Sequence, residues 1–231
     1  MDVFSVFLVI EKHLTLAEKK IMPKLYKHQQ DFLDSGQERA LLCWECGSGK
    51  TLAAVEFMKL RPYISFLTIC PKQIKKMWLE VAPKNAVVVT KEEFKKYTRS
   101  FEGIIVDECD YFLSPLFTKG RSAMATILYN WIRLHPTAPV LLMSATIIKN
   151  APHSSHTALT YIQKAPTWKM YRAIQYNLVS RPYNPRPFYE PRKGWNKISA
   201  QMIRENASVV DLSDIVEIPT QYEDVVRLYK V

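Results

Sequence analysis

No run of apolar residues in this chain is long enough to cross a membrane. The early stretch "VFSVFLVI" is short and follows Asp2, with neither a basic lead nor a small-residue cleavage site. It makes a poor signal peptide, and an extra strand or packed helical turn is expected there. A secreted or membrane-bound protein is therefore not expected. Cysteine is also sparse: Cys43, Cys46, Cys70 and Cys109. Without a secretion signal they fit a reducing compartment, cytoplasm, nucleoid or nucleus, better than a disulfide framework. Cys43 and Cys46 form a C-x-x-C, but the second ligand pair that zinc requires is missing. His13, His28, His135, His153 and His156 show no ligand spacing either, and the last two are expected in a loop. There is no internal repeat and no low-complexity tract.

The 231 residues suffice for one large domain or two small ones, and 48% hydrophobic content supports a buried core. Lys plus Arg number 32 against 22 Asp plus Glu, a net charge of +10. Such a balance points to a polyanionic partner, nucleic acid above all, or to a basic solvated surface.

Short apolar runs alternate with helical patterns. "ALLCW" (40–44), "ISFLTIC" (64–70), "AVVVT" (86–90), "GIIVD" (103–107) and "PVLLMS" (139–144) are nearly continuous in Val, Ile and Leu. That composition predicts strands of a parallel sheet, buried on both faces. "KTLAAVEFMKL", "KQIKKMWLEV", "KEEFKKY" and "RSAMATILYNWIRL" carry helical spacing between them, with Trp131 in the core. The pattern predicts right-handed β-α-β units and a doubly wound α/β domain, whose ligands bind beyond the carboxyl ends of the strands. After about residue 150 the composition changes. "SRPYNPRPFYEPRK" (180–193) contains Pro182, Pro185, Pro187 and Pro191 and predicts an extended loop, packed over the domain or stacking its aromatics on unpaired bases. "WNKISAQMIRENA" predicts a helix, and "DLSDIVEIP" a short strand ended by Pro219.

The chemistry collects at three strand ends. In "WECGSGKT", Gly47, Ser48 and Gly49 form a tight turn whose N–H groups can cradle phosphate oxygens before a helix N-terminus. Lys50 would neutralise β- and γ-phosphates, and the Thr51 hydroxyl would ligate Mg²⁺. The strict pattern has a further glycine at position 44, where this chain has Trp44. "GIIVDECD" ends a strand in two acids: Asp107 can hold the hydration shell of Mg²⁺, and Glu108 can take a proton from an attacking water. "LLMSATIIKN" ends a strand in the small hydroxyls Ser144 and Thr146, which can link the γ-phosphate site to a neighbouring surface. In "KQIKKMW", Lys72, Lys75 and Lys76 share one helical face, suited to phosphate-backbone contact or to plain solvation.

As a set, these segments resemble the first RecA-like lobe of superfamily-two helicases, and within it the Swi/Snf-like translocases. The resemblance spans roughly residues 22–231 and adds roles the residues alone do not give. "LYKHQQDFL" looks like the glutamine motif, which would place Gln29 against adenine. In the phosphate loop an acidic pair often precedes the glycines; Glu45 keeps one member and Trp44 replaces the other. "ICPKQIKKMWLEVAP" resembles the segment that grips the nucleic-acid backbone, with Pro71, Lys72 and Trp78 in register, and "VVVTKEEF" a second such segment, with Thr90. Asp110 stands where the family has His or Asp, and "SATIIKN" keeps hydroxyls at Ser144 and Thr146 and the amide of Asn150. "MIRENASVVDLSDIVEIP" is similar to the passage closing the first lobe.

The resemblance implies a RecA-like P-loop NTPase lobe over 23–219, preceded by an extension at 1–22 and followed by the start of a linker at 220–231. It implies ATP and Mg²⁺ as cofactors, nucleic acid (DNA first) as partner, and a second lobe, from another polypeptide where this chain lacks it, to complete hydrolysis. The isolated lobe is expected to bind nucleotide weakly and turn over slowly. Two alternatives stay open: a non-catalytic nucleic-acid-binding module that keeps the fold, and a nucleotidase or nucleotide kinase. The second leaves "ICPKQIKKMW" and "SATIIKN" without a role.

Overall fold

The computed structural model of the chain describes residues 25–116, 122–148, 151–181, 184–211 and 213, with the backbone alone at 181 and 184–187. The expected N-terminal extension, Asn150, most of the strand expected over "DLSDIVEIP" and the linker from 220 lie outside these residues.

Five apolar runs form parallel strands where expected: β1 (Arg39–Trp44), β2 (Phe66–Cys70), β3 (Ala86–Thr90), β4 (Gly103–Asp107) and β5 (Val140–Met143). A sixth, β8 (Ser208–Val210), joins the sheet in the order β3-β2-β4-β5-β1-β8, every neighbouring pair parallel. Successive residues send side chains to opposite faces. Leu41, Ile104, Val106 and Leu142 enter one core, while Leu42, Trp44, Ile105 and Met143 enter the other. Burial on both faces is why these runs are continuously apolar rather than alternating.

The helices are α1 (Lys27–Asp34), α2 (Lys50–Lys59), α3 (Lys75–Val81), α4 (Lys91–Phe94), α5 (Ala123–Leu134), α6 (His153–Tyr161), α7 (Trp168–Gln175) and α8 (Trp195–Asn206). Side chains of α1, α2 and α3 pack in the core that holds Trp44; those of α5, α6 and α8 pack in the other. The sheet is thus doubly wound. Trp131 is only half-buried at the margin of the second core, stacked between Phe101 and His135 at centroid distances of 4.6 and 4.5 Å. Among the described residues no helix is long and apolar enough to cross a membrane.

Two local expectations need correction. His153 and His156 lie in α6, not in a loop, and His156 is 2% exposed, its Nε2 3.0 Å from Pro166 O. The proline-rich stretch is not a loop either. Asn184–Pro191 forms β7, paired antiparallel with β6 (Tyr176–Arg181) in a separate two-stranded ribbon. Proline is excluded from central strands because it lacks an N–H, but each strand of a two-stranded ribbon has an outer edge. Arg192 N–H donates inward to Gln175 O, so by period two the position of Pro191 faces outward, where no N–H is needed.

Candidate nucleotide site

β1 runs into the loop 45–49, and the loop opens α2. Gly47 and Gly49 have φ of 85° and 81°, in the left-handed region that glycine enters without cost. At Gly49 a side chain is excluded twice, because a Cβ would lie 2.1 Å from Gln29 Nε2. That contact is a designed one: Gln29 Nε2 donates to Gly49 O (3.0 Å) and Ser48 O (3.4 Å), and His28 Nε2 lies 2.9 Å from Ser48 O.

Gln29 is accordingly not poised against a base. It is 0% exposed, and its Oε1 accepts from Tyr26 N–H at 2.8 Å while its amide nitrogen holds the loop. The residue braces the loop 45–49 through its backbone carbonyls. Ser48 is likewise buried; its hydroxyl (2.7 Å) and N–H (3.3 Å) both donate to Glu45 O, closing the loop on itself. Lys50 Nζ donates to Trp44 O (2.7 Å) and Glu45 O (3.0 Å), two carbonyls at the loop mouth. Trp44, at the position of the missing glycine, is fully buried, edge-on to His28 and Phe32, with Nε1 donating to Ser208 Oγ at 2.8 Å. Its ring fills the core beneath the sheet.

Asp107 ends β4 and is 7% exposed. Oδ2 accepts from the Trp78 indole N–H at 2.8 Å, and Oδ1 from the Glu108 N–H at 3.0 Å. Glu108 has φ 51°, the left-handed region, and this turns its carboxylate towards β5, where Ser144 Oγ donates to Oε2 at 3.4 Å. Burial pushes the Asp107 carboxyl above its ordinary range, opposed by its two donors and by Lys50. Glu108 is raised by burial and then by the neighbouring Asp107 and Asp110, opposed by Lys50 and Ser144. Lys50 acts on both acids, so the loop ammonium and the acid pair belong to one site.

Ser144 is 0% exposed and Thr146 exposed; Thr146 N–H donates to Ser144 Oγ at 3.1 Å. One hydroxyl thus reaches the acid pair and, through one backbone link, the surface. Thr51, half-buried in the first turn of α2, and the Asp107 carboxylate offer the hard oxygen donors that Mg²⁺ selects. A cation beside Asp107 favours the ionised carboxyl and opposes the upward shift that burial imposes, so this donor set fits the metal.

The residues expected to grip a nucleic-acid backbone are not a uniform group. Pro71 is half-buried and Lys72 exposed, in a 3₁₀ turn (Lys72–Ile74) ahead of α3. The three lysines therefore do not share one helix face: Lys76 is exposed, whereas Lys75 is drawn into an ion pair with Glu93 at 2.7 Å. Trp78 is 0% exposed and cannot touch a polymer; its only polar atom holds Asp107. Thr90 is 6% exposed, and its hydroxyl caps α4 by accepting from Glu93 N–H (3.3 Å), while Glu93 accepts from Thr90 N–H (2.7 Å). Sequence reasoning also passed over His28, whose place beside Gln29 was the available signal.

With this geometry in place, comparison with solved structures finds the Sulfolobus solfataricus SWI2/SNF2 ATPase core in complex with dsDNA, at a TM-score of 0.54 and 13% identity over 82% of this chain. The fold is that of a RecA-like lobe. This chain spans 45% of the length of that ATPase core. A hypothetical ATP-dependent RNA helicase from Sulfolobus tokodaii is also similar, at a TM-score of 0.43 and 15% identity, covering 71% of this chain and 56% of that one. No protein-family model and no curated protein matches the chain. The carboxyl ends of β1, β4 and β5 in this RecA-like lobe carry the loop, the acid pair and the Ser144 hydroxyl.

Proposed function

We propose that this RecA-like lobe binds ATP and hydrolyses it in response to nucleic acid, as the nucleotide-binding half of a DNA-stimulated helicase or translocase. The observation that carries the reading is the convergence of Lys50, Asp107, Glu108 and Ser144 at neighbouring strand ends. On nucleotide binding, Lys50 exchanges the Trp44 and Glu45 carbonyls for phosphate oxygens, and Gly47 and Gly49 let the loop backbone close around them. Thr51 and Asp107 would hold Mg²⁺, which would supply neutralisation of the phosphate charge. Glu108 takes the proton of the water attacking the γ-phosphorus. Its raised pKa makes it a better base near neutral pH than an ordinary carboxylate. Ser144 senses Glu108 and passes its state to Thr146 at the surface. Lys72 and Lys76, with the net charge of +10, supply sequence-independent backbone contacts. Stabilisation of transition-state charge by an arginine of a second lobe would raise turnover by about 10³–10⁵.

The test is Mg²⁺-ATP binding and steady-state hydrolysis, with and without single- and double-stranded DNA, beside Lys50→Ala and Glu108→Gln. Lys50→Ala is expected to abolish binding. Glu108→Gln should keep it and lower any turnover by about 10²–10⁴. Unchanged nucleotide affinity in Lys50→Ala would show that the site is elsewhere.

A further inference from the structure

We infer that Trp78 is a positioning residue that ties the lysine-bearing segment 72–78 to the Asp107 carboxylate, so that polyanion binding at Lys72 and Lys76 and Mg²⁺-nucleotide binding at Asp107 are coupled through one hydrogen bond. This rests on the reading of the site as an ATPase lobe. An indole N–H can only donate, so the Trp78–Asp107 contact fixes which oxygen accepts and the plane of the carboxylate. Both groups are buried, and no water competes for the bond at 0% exposure of the indole. The second oxygen is fixed independently by the Glu108 N–H. Asp107 is therefore held at both oxygens, one by its own strand end and one by α3.

The other end of α3 faces outward. Lys76 lies two residues before Trp78, and Lys72 in the turn just ahead of the helix; both are exposed. Lys75, one helical turn from Trp78, is bridged to Glu93, whose carboxylate also caps α4 through Thr90. The two expected backbone-gripping segments are thus linked to each other, and a single short helix joins them to the metal carboxylate. A side chain that contacts nothing outside the core still belongs in this segment, because it is the segment's connection to the nucleotide site. Hydrogen bonds weaken steeply with distance and angle, so a small displacement of α3 changes how Asp107 is presented. Linkage is reciprocal: whatever factor Mg²⁺-ATP changes in polyanion affinity, the polyanion changes in Mg²⁺-ATP affinity.

The experiment uses the whole chain and Trp78→Phe, which keeps an aromatic ring and removes the donor. ATP binding is titrated in EDTA and in Mg²⁺, and binding of a fluorescent oligodeoxythymidine is titrated with and without Mg²⁺-ATP. The expected result is unchanged ATP binding in EDTA, a loss of roughly tenfold or more in the Mg²⁺-dependent gain, and abolition of the nucleotide effect on oligonucleotide affinity. Oligonucleotide affinity in the absence of nucleotide should be unchanged, since Trp78 does not reach the surface. In the parent chain, the Trp78 indole N–H resonance should shift on adding Mg²⁺-ATP and again on adding oligonucleotide, which tests the link even where the variant does not fold. A Trp78→Phe chain with parental Mg²⁺ dependence and coupling, or an indole resonance unmoved by both ligands, overturns the inference. Failure of the parent chain to bind Mg²⁺-ATP at all overturns the ATPase reading and this inference with it.

Discussion

Replacing Trp44 with glycine would restore the residue that the strict phosphate-loop pattern has at this position, and the structure says it should damage the protein. The ring is fully buried, packed edge-on against His28 at 4.6 Å and Phe32 at 6.1 Å between centroids. Emptying a buried tryptophan site costs about 3–5 kcal/mol, because the surroundings collapse only in part. The lost Nε1–H to Ser208 Oγ bond adds about 1 kcal/mol, and glycine in a strand a further 0.5–1 kcal/mol or so. The sum is about 4.5–7 kcal/mol, comparable with the whole stability of many domains. In a chain of this size each kcal/mol moves Tm by about 2–4 °C, so Trp44→Gly should melt at least about 10 °C below the parent. Trp44→Phe keeps most of the ring and should lose only a few degrees.

The assay is thermal unfolding followed by circular dichroism, with Mg²⁺-ATP titration at a temperature where both chains are folded. Trp44 sends its ring into the core and only its carbonyl towards Lys50. A side chain change there should leave nucleotide affinity no tighter than in the parent. A Trp44→Gly chain that melts within about 3 °C of the parent, or that binds nucleotide more tightly, would refute the packing argument.

Two further outcomes follow from the site. Gly49→Ala places a methyl 2.1 Å from Gln29 Nε2 at a φ of 81°, whereas Gly36→Ala, at a φ of 60°, meets nothing within 4 Å. Gly36→Ala should cost about 1 kcal/mol of backbone strain, and Gly49→Ala clearly more together with nucleotide binding; equal Tm losses would show that the Gln29 contact is dispensable. Asp107 and Glu108 are both raised from 3.8 and 4.5, so the folded chain holds their protons more tightly than the unfolded chain. That contribution is complete below the unfolded values and fades as pH rises through the folded ones. An Asp107→Asn, Glu108→Gln chain without nucleotide should therefore gain Tm over the parent progressively from about pH 4 upwards, and a gap that shrinks with pH would contradict the burial of the acids.

The five long strands were legible because burial on both faces demands an unbroken apolar run, and "GIIVD" or "PVLLM" has no other use. The turn at 45–49 was legible because Gly47 and Gly49, between an apolar strand and a helical pattern, mark a backbone that enters the left-handed region. What could not be read were the assignments decided by tertiary contact. β8 has three residues and pairs only at the end of β1, so "SVV" carries too little pattern. Prolines at 185, 187 and 191 signalled a loop because the rule that excludes them assumes a central strand. Trp78 sits between the exposed Met77 and Leu79, and nothing in "KMWL" says which of the three is buried. Gln29 and Thr90 carry the polar groups of contact residues, and the structure turns both onto the backbone of the lobe itself.

The acid pair shows why adjacent residues can do different work. Consecutive strand residues point to opposite faces, so "DE" at a strand end would send one carboxylate into each core. The chain leaves the strand at Glu108 instead, with a φ of 51° that costs an ordinary residue about 1–2 kcal/mol. The turn has two effects. It directs the Glu108 N–H back to Asp107 Oδ1, and it carries the Glu108 carboxylate across to Ser144, the residue just after β5. Asp107 becomes the fixed acid, clamped at both oxygens between β4 and α3. Glu108 becomes the acid with freedom to meet water, held by a single long bond from a hydroxyl. A regular extension of β4 would lose both the clamp and the reach, so the strained residue is what gives two adjacent acids different surroundings, one held at both oxygens and one at a single oxygen.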